Sequence, residues 1–203
     1  MITYILIAII GLLSYQAFSD QNLKYKLSFH PYSVYHNNEY SRFITSIFVH
    51  GDWTHLLLNL FVLYGFGLSM ENEFKIMSIE KYNTEVYGYL HYLAIFFLSG
   101  ICGDLPDYFS KRNTQHYLSL GASGAISGLL FAFIMLHPTA KMILFIGIPI
   151  PMVAWLYGIV YVAFSIYAAQ KNQDNINHLA HLGGATIGIL YVLLIFPGNK
   201  LPI

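Results

Sequence analysis

The chain has 203 residues, of which 56% are hydrophobic and only 10% charged, and its formal net charge is zero. A mean hydropathy of +0.54 places it with membrane proteins. No basic run or aromatic-basic stripe is present, so nucleic acid is not expected as a partner, and the lipid bilayer is. A single cysteine, Cys102, excludes an intrachain disulfide, and a buried, inert thiol is the expectation there.

The first apolar stretch, Ile2 to Phe18, has no Lys or Arg ahead of it and is read as a retained transmembrane helix, although Ala17-Phe18-Ser19 loosely fits a signal cleavage site. Asp20 to Trp53 is a long connection in which Tyr25, Phe29, Tyr32, Tyr35 and Tyr40 alternate with polar residues, a mixture suited to the membrane–water boundary. A second helix is predicted over Thr54 to Met70, with an earlier turn at Phe43 to Val49, and Glu71 to Glu85 reads as a charged loop. The third span is predicted over Val86 to Gly103, and the fourth, shorter, over Ser123 to Leu136. The fifth opens near Ile148-Pro149-Ile150-Pro151, since proline is tolerated in a first helical turn, and runs to Gln170. The sixth covers Asn177 to Phe196 and stops at Pro197-Gly198. The expectation is an all-α fold, one domain over residues 1–203 with six transmembrane helices and neither internal repeat nor low-complexity segment. With the N-terminus inside, six basic residues fall outside and four inside, so charge bias leans weakly toward the opposite orientation.

The chemistry concentrates at Gly121-Ala-Ser-Gly-Ala-Ile-Ser-Gly128. A helix of about twelve apolar residues rises only about 18 Å, against about 30 Å for a bilayer core, so Ser123 sits near mid-depth. The preceding Asp104 to Leu120 is too polar to face lipid, and irregular backbone at that depth needs a protein cover or a wet cavity. A helix N-terminus there offers free N–H groups and partial positive charge, which favour an alkoxide or oxyanion. Polar groups within spans are functional candidates by default. His55 and Asn59 share one face of the second helix, and His178 and His181 lie three apart on the sixth, ahead of Gly183, Gly184 and Gly188. Gly124 and Gly128 match Gly184 and Gly188 as small faces, and helices meeting along them would bring His181 toward Ser123. With no acid in the fourth or sixth span, the best assembly is a Ser–His dyad, with His55, Asn59 and the Ser123 amide as oxyanion donors. Each feature has a plainer reading as helix packing, and the two histidines make a poor metal site without Cys, Asp or Glu beside them, so no metal or cofactor is expected.

In combination these residues resemble the rhomboid family of intramembrane serine proteases. Gly121-Ala-Ser123-Gly124 is similar to its Gly-x-Ser-Gly motif, implying Ser123 as nucleophile. Ala180-His181-Leu-Gly-Gly184 is similar to Ala-His-x-x-Gly, implying His181 as general base and acid, ahead of His178. His50, His55 and Asn59 in Phe48-Val-His-Gly-Asp-Trp-Thr-His-Leu-Leu-Leu-Asn59 fit the second-helix pattern, implying oxyanion roles for His55 and Asn59 and loop support for His50. The resemblance further implies a minimal bacterial-type bundle with a short central helix carrying the nucleophile. It also implies both termini in the cytoplasm, an inner (plasma) membrane location and transmembrane proteins as substrates. Two departures stand out: the first-loop Trp-Arg pair is Ser41-Arg42 here, and Ser127 replaces an aromatic that stacks on the catalytic histidine. Imidazole orientation must then come from packing or a hydrogen bond, and a rhomboid-like binder of transmembrane clients is the alternative to a protease. A transporter with a His-lined path is weakened by the lack of an internal repeat.

Overall fold

A computed structural model describes residues 1–145, 148–171 and 177–196. The expected stop at Pro197-Gly198 lies outside them. Helix α1 (Ile2–Ser19) is mostly apolar, and it buries Leu6, Ile10 and Ala17. Its exposed N–H groups are capped from a distance. The Glu71 carboxylate accepts from the Ile2 and Thr3 amides at 2.8 and 2.9 Å and from the Thr3 hydroxyl at 2.6 Å.

The connection that follows folds into short helices α2 (Gln21–Leu27), α3 (Pro31–Asn37) and α4 (Arg42–Thr45), then a 3₁₀ turn at Ser46–Phe48. Buried Arg42 organises it, donating to the Tyr25 and Ser28 carbonyls at 2.6 and 2.8 Å and to Glu39. Tyr25, Tyr35 and Tyr40 stay exposed as expected for an interface, but Phe29 is fully buried. Its amide and carbonyl pair with those of Ser119 at 2.8 and 3.0 Å, which clips this connection to the segment leading into Ser123.

Helix α5 (Trp53–Val62) continues through a wide turn at Leu63–Gly67 into α6 (Leu68–Tyr82). The charged stretch predicted as a loop is therefore helical as far as Tyr82. Its charges have partners that let the helix go on: Glu71 caps α1, Glu73 meets His137 at 3.4 Å, and Lys75 meets Glu85 at 3.2 Å. Helix α7 (Val86–Lys111) likewise outruns its predicted end and passes through Pro106, so the first half of the polar Asp104 to Leu120 segment is helical rather than irregular. Asp104 and Asp107 are buried within it. Cys102 is half-buried rather than buried.

Helix α8 (Ser123–Leu136) is buried on nearly every side, as an apolar helix without an amphipathic stripe should be. It is the central element, with α7, α9 (Ala154–Lys171) and α10 (His178–Ile195) packed around it. Where the fifth helix was expected to open, the chain instead forms an antiparallel hairpin. Strand β1 (Lys141–Phe145) pairs with β2 (Pro149–Val153), Lys141 opposite Val153, and α9 starts only at Ala154. Residues ahead of a proline are pushed to extended backbone, and Ile148 and Ile150 both precede one. A two-stranded ribbon is all edge, so it tolerates prolines lacking an N–H.

Among the described residues, four helical stretches are long and apolar enough to cross a membrane: Ile2–Ser19, Trp53–Tyr82, Val86–Lys111 and His178–Ile195, with Ser123–Leu136 a shorter apolar helix among them. Their outer faces carry large apolar side chains, among them Leu57, Phe61 and Leu194, where lipid would lie.

Candidate active site

The site is built where two smooth helix faces meet. A Cβ placed on Gly124 would lie 3.3 Å from the Ala180 carbonyl oxygen, and one on Gly184 or Gly188 would overlap the Gly124 or Gly128 carbonyl. Gly183 faces Gly103 in the same way, 3.0 Å from its Cα, so α10 lies against the backbones of both α7 and α8. Side chains here would force the helices apart. The close approach puts Ser123, first residue of α8, and His181, in the first turn of α10, on one cavity of about 570 Å³. His55 and Asp104 line it as well, while buried His178 does not.

Each side chain is held by capping chemistry. Asp52 caps α5 by accepting from the His55 amide at 2.8 Å, which fixes His55 in the first turn. Asn177 caps α10 by accepting from the Ala180 amide at 3.0 Å, and its Nδ2 donates to Asp107 and to Ser119 Oγ. Asp107 also accepts from the Tyr117 hydroxyl at 2.6 Å, and burial and that carboxylate push the Tyr117 phenol up, keeping it a donor. Helix α8 is different: no side chain among the described residues caps it. Its first-turn amides therefore remain available at the cavity.

The turn into α8 has its own constraints. Gly121 adopts φ = +121°, a region side chains rarely occupy, and an added Cβ would lie 2.7 Å from His55 Cε1. The next amide, Ala122, donates to His50 Nε2 at 3.3 Å. His50 Nε2 is thus an acceptor, so Nδ1 carries the proton and donates to Ser14 Oγ at 3.0 Å. Complete burial, then the neighbouring His55, push the His50 imidazole down to about 3, with Asp52 opposing, so it stays neutral. His50 thereby ties α1 to the turn before Ser123.

The sequence-predicted residues are not all brought together. Ser123, His181 and His55 share the cavity, but Asn59 lies one turn further along α5, buried, with its Nδ2 donating to the His55 carbonyl at 2.9 Å. Sequence reasoning missed Asp52 and Asn177, although an Asp or Asn just before a helix is a readable cap signal. It also missed Asp107 and the partner of Ser127, the Tyr161 hydroxyl 2.7 Å away, for which no local pattern exists.

Comparison with known proteins agrees with this architecture. The family described as "Rhomboid domain" matches residues 37–198. Rhomboid protein 1, mitochondrial, of Saccharomyces cerevisiae is 30% identical over 73% of this chain and 40% of its own length. Rhomboid-like protein 11, chloroplastic, of Arabidopsis thaliana is 30% identical over 83% of this chain and 58% of its own. A Bacillus subtilis protein named "Putative rhomboid protease YdcA" is 30% identical over 78% of this chain and 68% of its own. The chain thus spans about half the length of the first two relatives. It belongs to the rhomboid family, as an integral, multi-pass membrane protein.

Proposed function

We propose that the chain is an intramembrane serine endopeptidase that cleaves transmembrane segments of other membrane proteins. The observation that carries this reading is the uncapped start of a buried helix, with Ser123 at its first position, opening on a cavity shared with His181 and His55. Ser123 Oγ attacks the scissile carbonyl while His181 takes its proton. The resulting oxyanion is held by the Ser123 amide and His55, and by Asn59 once its side chain turns from the His55 carbonyl. His181 then protonates the leaving amine, the acyl-enzyme forms, and a water activated by the same imidazole hydrolyses it.

The six spans we propose are α1, α5 with α6, α7, α8, α9 and α10, with both termini cytoplasmic. The substrate helix enters laterally from lipid past α9, the gate in this reading. A bacterial plasma membrane is the location we propose; the Bacillus subtilis relative supports it, while the other two relatives above are named for organelles. The test is cleavage of a single-span substrate, with a small residue before the cut and a helix breaker after it, by purified protein in liposomes. Wild type should cleave, and Ser123→Ala and His181→Ala should not. Inert proteins that bind the substrate equally would replace the protease with a client binder, and an active His181→Ala would move the base to His178.

A further inference from the structure

Ser127 follows Ser123 by one helical turn, is buried, and reaches α9 without lining the cavity. Its hydroxyl shares a 2.7 Å hydrogen bond with the Tyr161 hydroxyl. That bond fixes a ring that is already constrained on two sides: Phe131 meets it edge-on at 5.4 Å, and Tyr157 stacks nearby at 6.4 Å and 25°. The ring in turn lies 6.3 Å from the His181 imidazole with the planes tilted by 30°, within the centroid range of aromatic pairs. His181 also pairs edge-to-face with His178, at 5.7 Å and 76°. The imidazole therefore has two ring neighbours, Tyr161 from α9 and His178 from its own helix.

We propose that Tyr161 is the positioning residue for His181: clamped by Ser127, its ring fixes the imidazole plane for proton exchange with Ser123. The proposal rests on the protease reading. Its physical basis is that a general base works only when its lone pair is aligned, and an unrestrained imidazole spends most of its time misaligned. Because Tyr161 belongs to α9, packed through Gly158 and otherwise widely exposed, the orientation of the base depends on α9 being docked against α8.

The experiment compares wild type with Tyr161→Leu, Tyr161→Phe, Ser127→Ala and the Ser127→Ala/Tyr161→Phe double variant in the liposome assay, with Ser123→Ala as the inert reference. Tyr161→Leu should lower kcat roughly 10- to 100-fold with KM within about twofold, since the loss is of alignment and not of substrate binding. Tyr161→Phe keeps the ring and should retain more than about a third of wild-type kcat, and the double variant should match the worse single one because both remove the same bond. In parallel, the His181 ring resonance, assigned by its loss in His181→Gln, should move on Tyr161→Leu and barely on Tyr161→Phe. Should Tyr161→Leu fail to fold, Tyr161→Met, which also lacks the ring, takes its place and must lower kcat and move that resonance in the same way. Wild-type kcat in Tyr161→Leu, an effect on KM alone, or an equal loss in the Phe and Leu variants would overturn the proposal while leaving the protease intact. A wild type as inert as Ser123→Ala would remove the protease, and the positioning role with it.

Discussion

Gly184→Ala probes the contact on which the site depends. A Cβ there would sit 2.8 Å from the Gly124 carbonyl carbon and 3.1 Å from its Cα, with the carbonyl oxygen nearer still. Ordinary contact begins at 3.4 Å, so clearing the oxygen, the nearest of the three, parts α10 and α8 by more than about 1 Å, and all three obstacles are backbone that cannot rotate aside. Overpacking of this kind costs about 1–3 kcal/mol. His181 lies one turn before Gly184 and Ser123 one residue before Gly124, so the separation opens directly between them. A 1 Å misplacement costs about 100-fold in rate, so a loss of roughly that size is predicted. Unfolding in detergent and liposome cleavage would be measured side by side with Gly65→Ala, whose added Cβ meets nothing within 4 Å. Gly65→Ala should keep wild-type activity and be as stable or slightly more so, by up to about 1 kcal/mol. If Gly184→Ala matched wild type in both assays, the close helix contact would not be what builds the site.

The remaining predictions concern the supports. His50, in the connection before α5, has its folded pKa pushed down to about 3 from an ordinary 6.5, so the unfolded chain binds one more proton between those limits. Its contribution to stability is complete above about pH 6.5 and is lost as pH falls toward 3, at about 1.4 kcal/mol per unit. The difference between wild type and His50→Gln should shrink at that rate in acid unfolding measurements, and a pH-independent difference would refute it. Glu71→Ala should cost roughly 2–3 kcal/mol, because it uncaps two α1 amides and the Thr3 hydroxyl together, and detergent unfolding reads it. Arg42→Lys keeps the charge but not the planar fork that reaches two carbonyls and Glu39, so it should lose roughly 1–3 kcal/mol and loosen the Tyr25 to Ser28 segment in hydrogen exchange.

Much of this protein was determined locally. The apolar runs, the short helix behind Ser123, the paired glycines and the His-x-x-His pattern are features of adjacent residues, and hydrophobic periodicity and small-residue spacing express them directly. The extended Ile148-Pro149-Ile150-Pro151 run was local too, but read as a first helical turn because proline suits both; pairing with Lys141–Phe145 decided it. Charge pattern alone marked Glu71 to Glu85 as a loop, since only the tertiary structure brings the α1 amides to Glu71 and His137 to Glu73. Asn59, four residues from His55, looked like a partner facing the cavity, but it bonds back to the His55 carbonyl, a local contact open to polar side chains within a helix. Tyr161 lies 34 residues from Ser127, and nothing near either residue in sequence announces the pair. Periodicity encodes which face of a helix is buried. What that face meets depends on how whole helices dock, and that is a property of the assembled bundle alone.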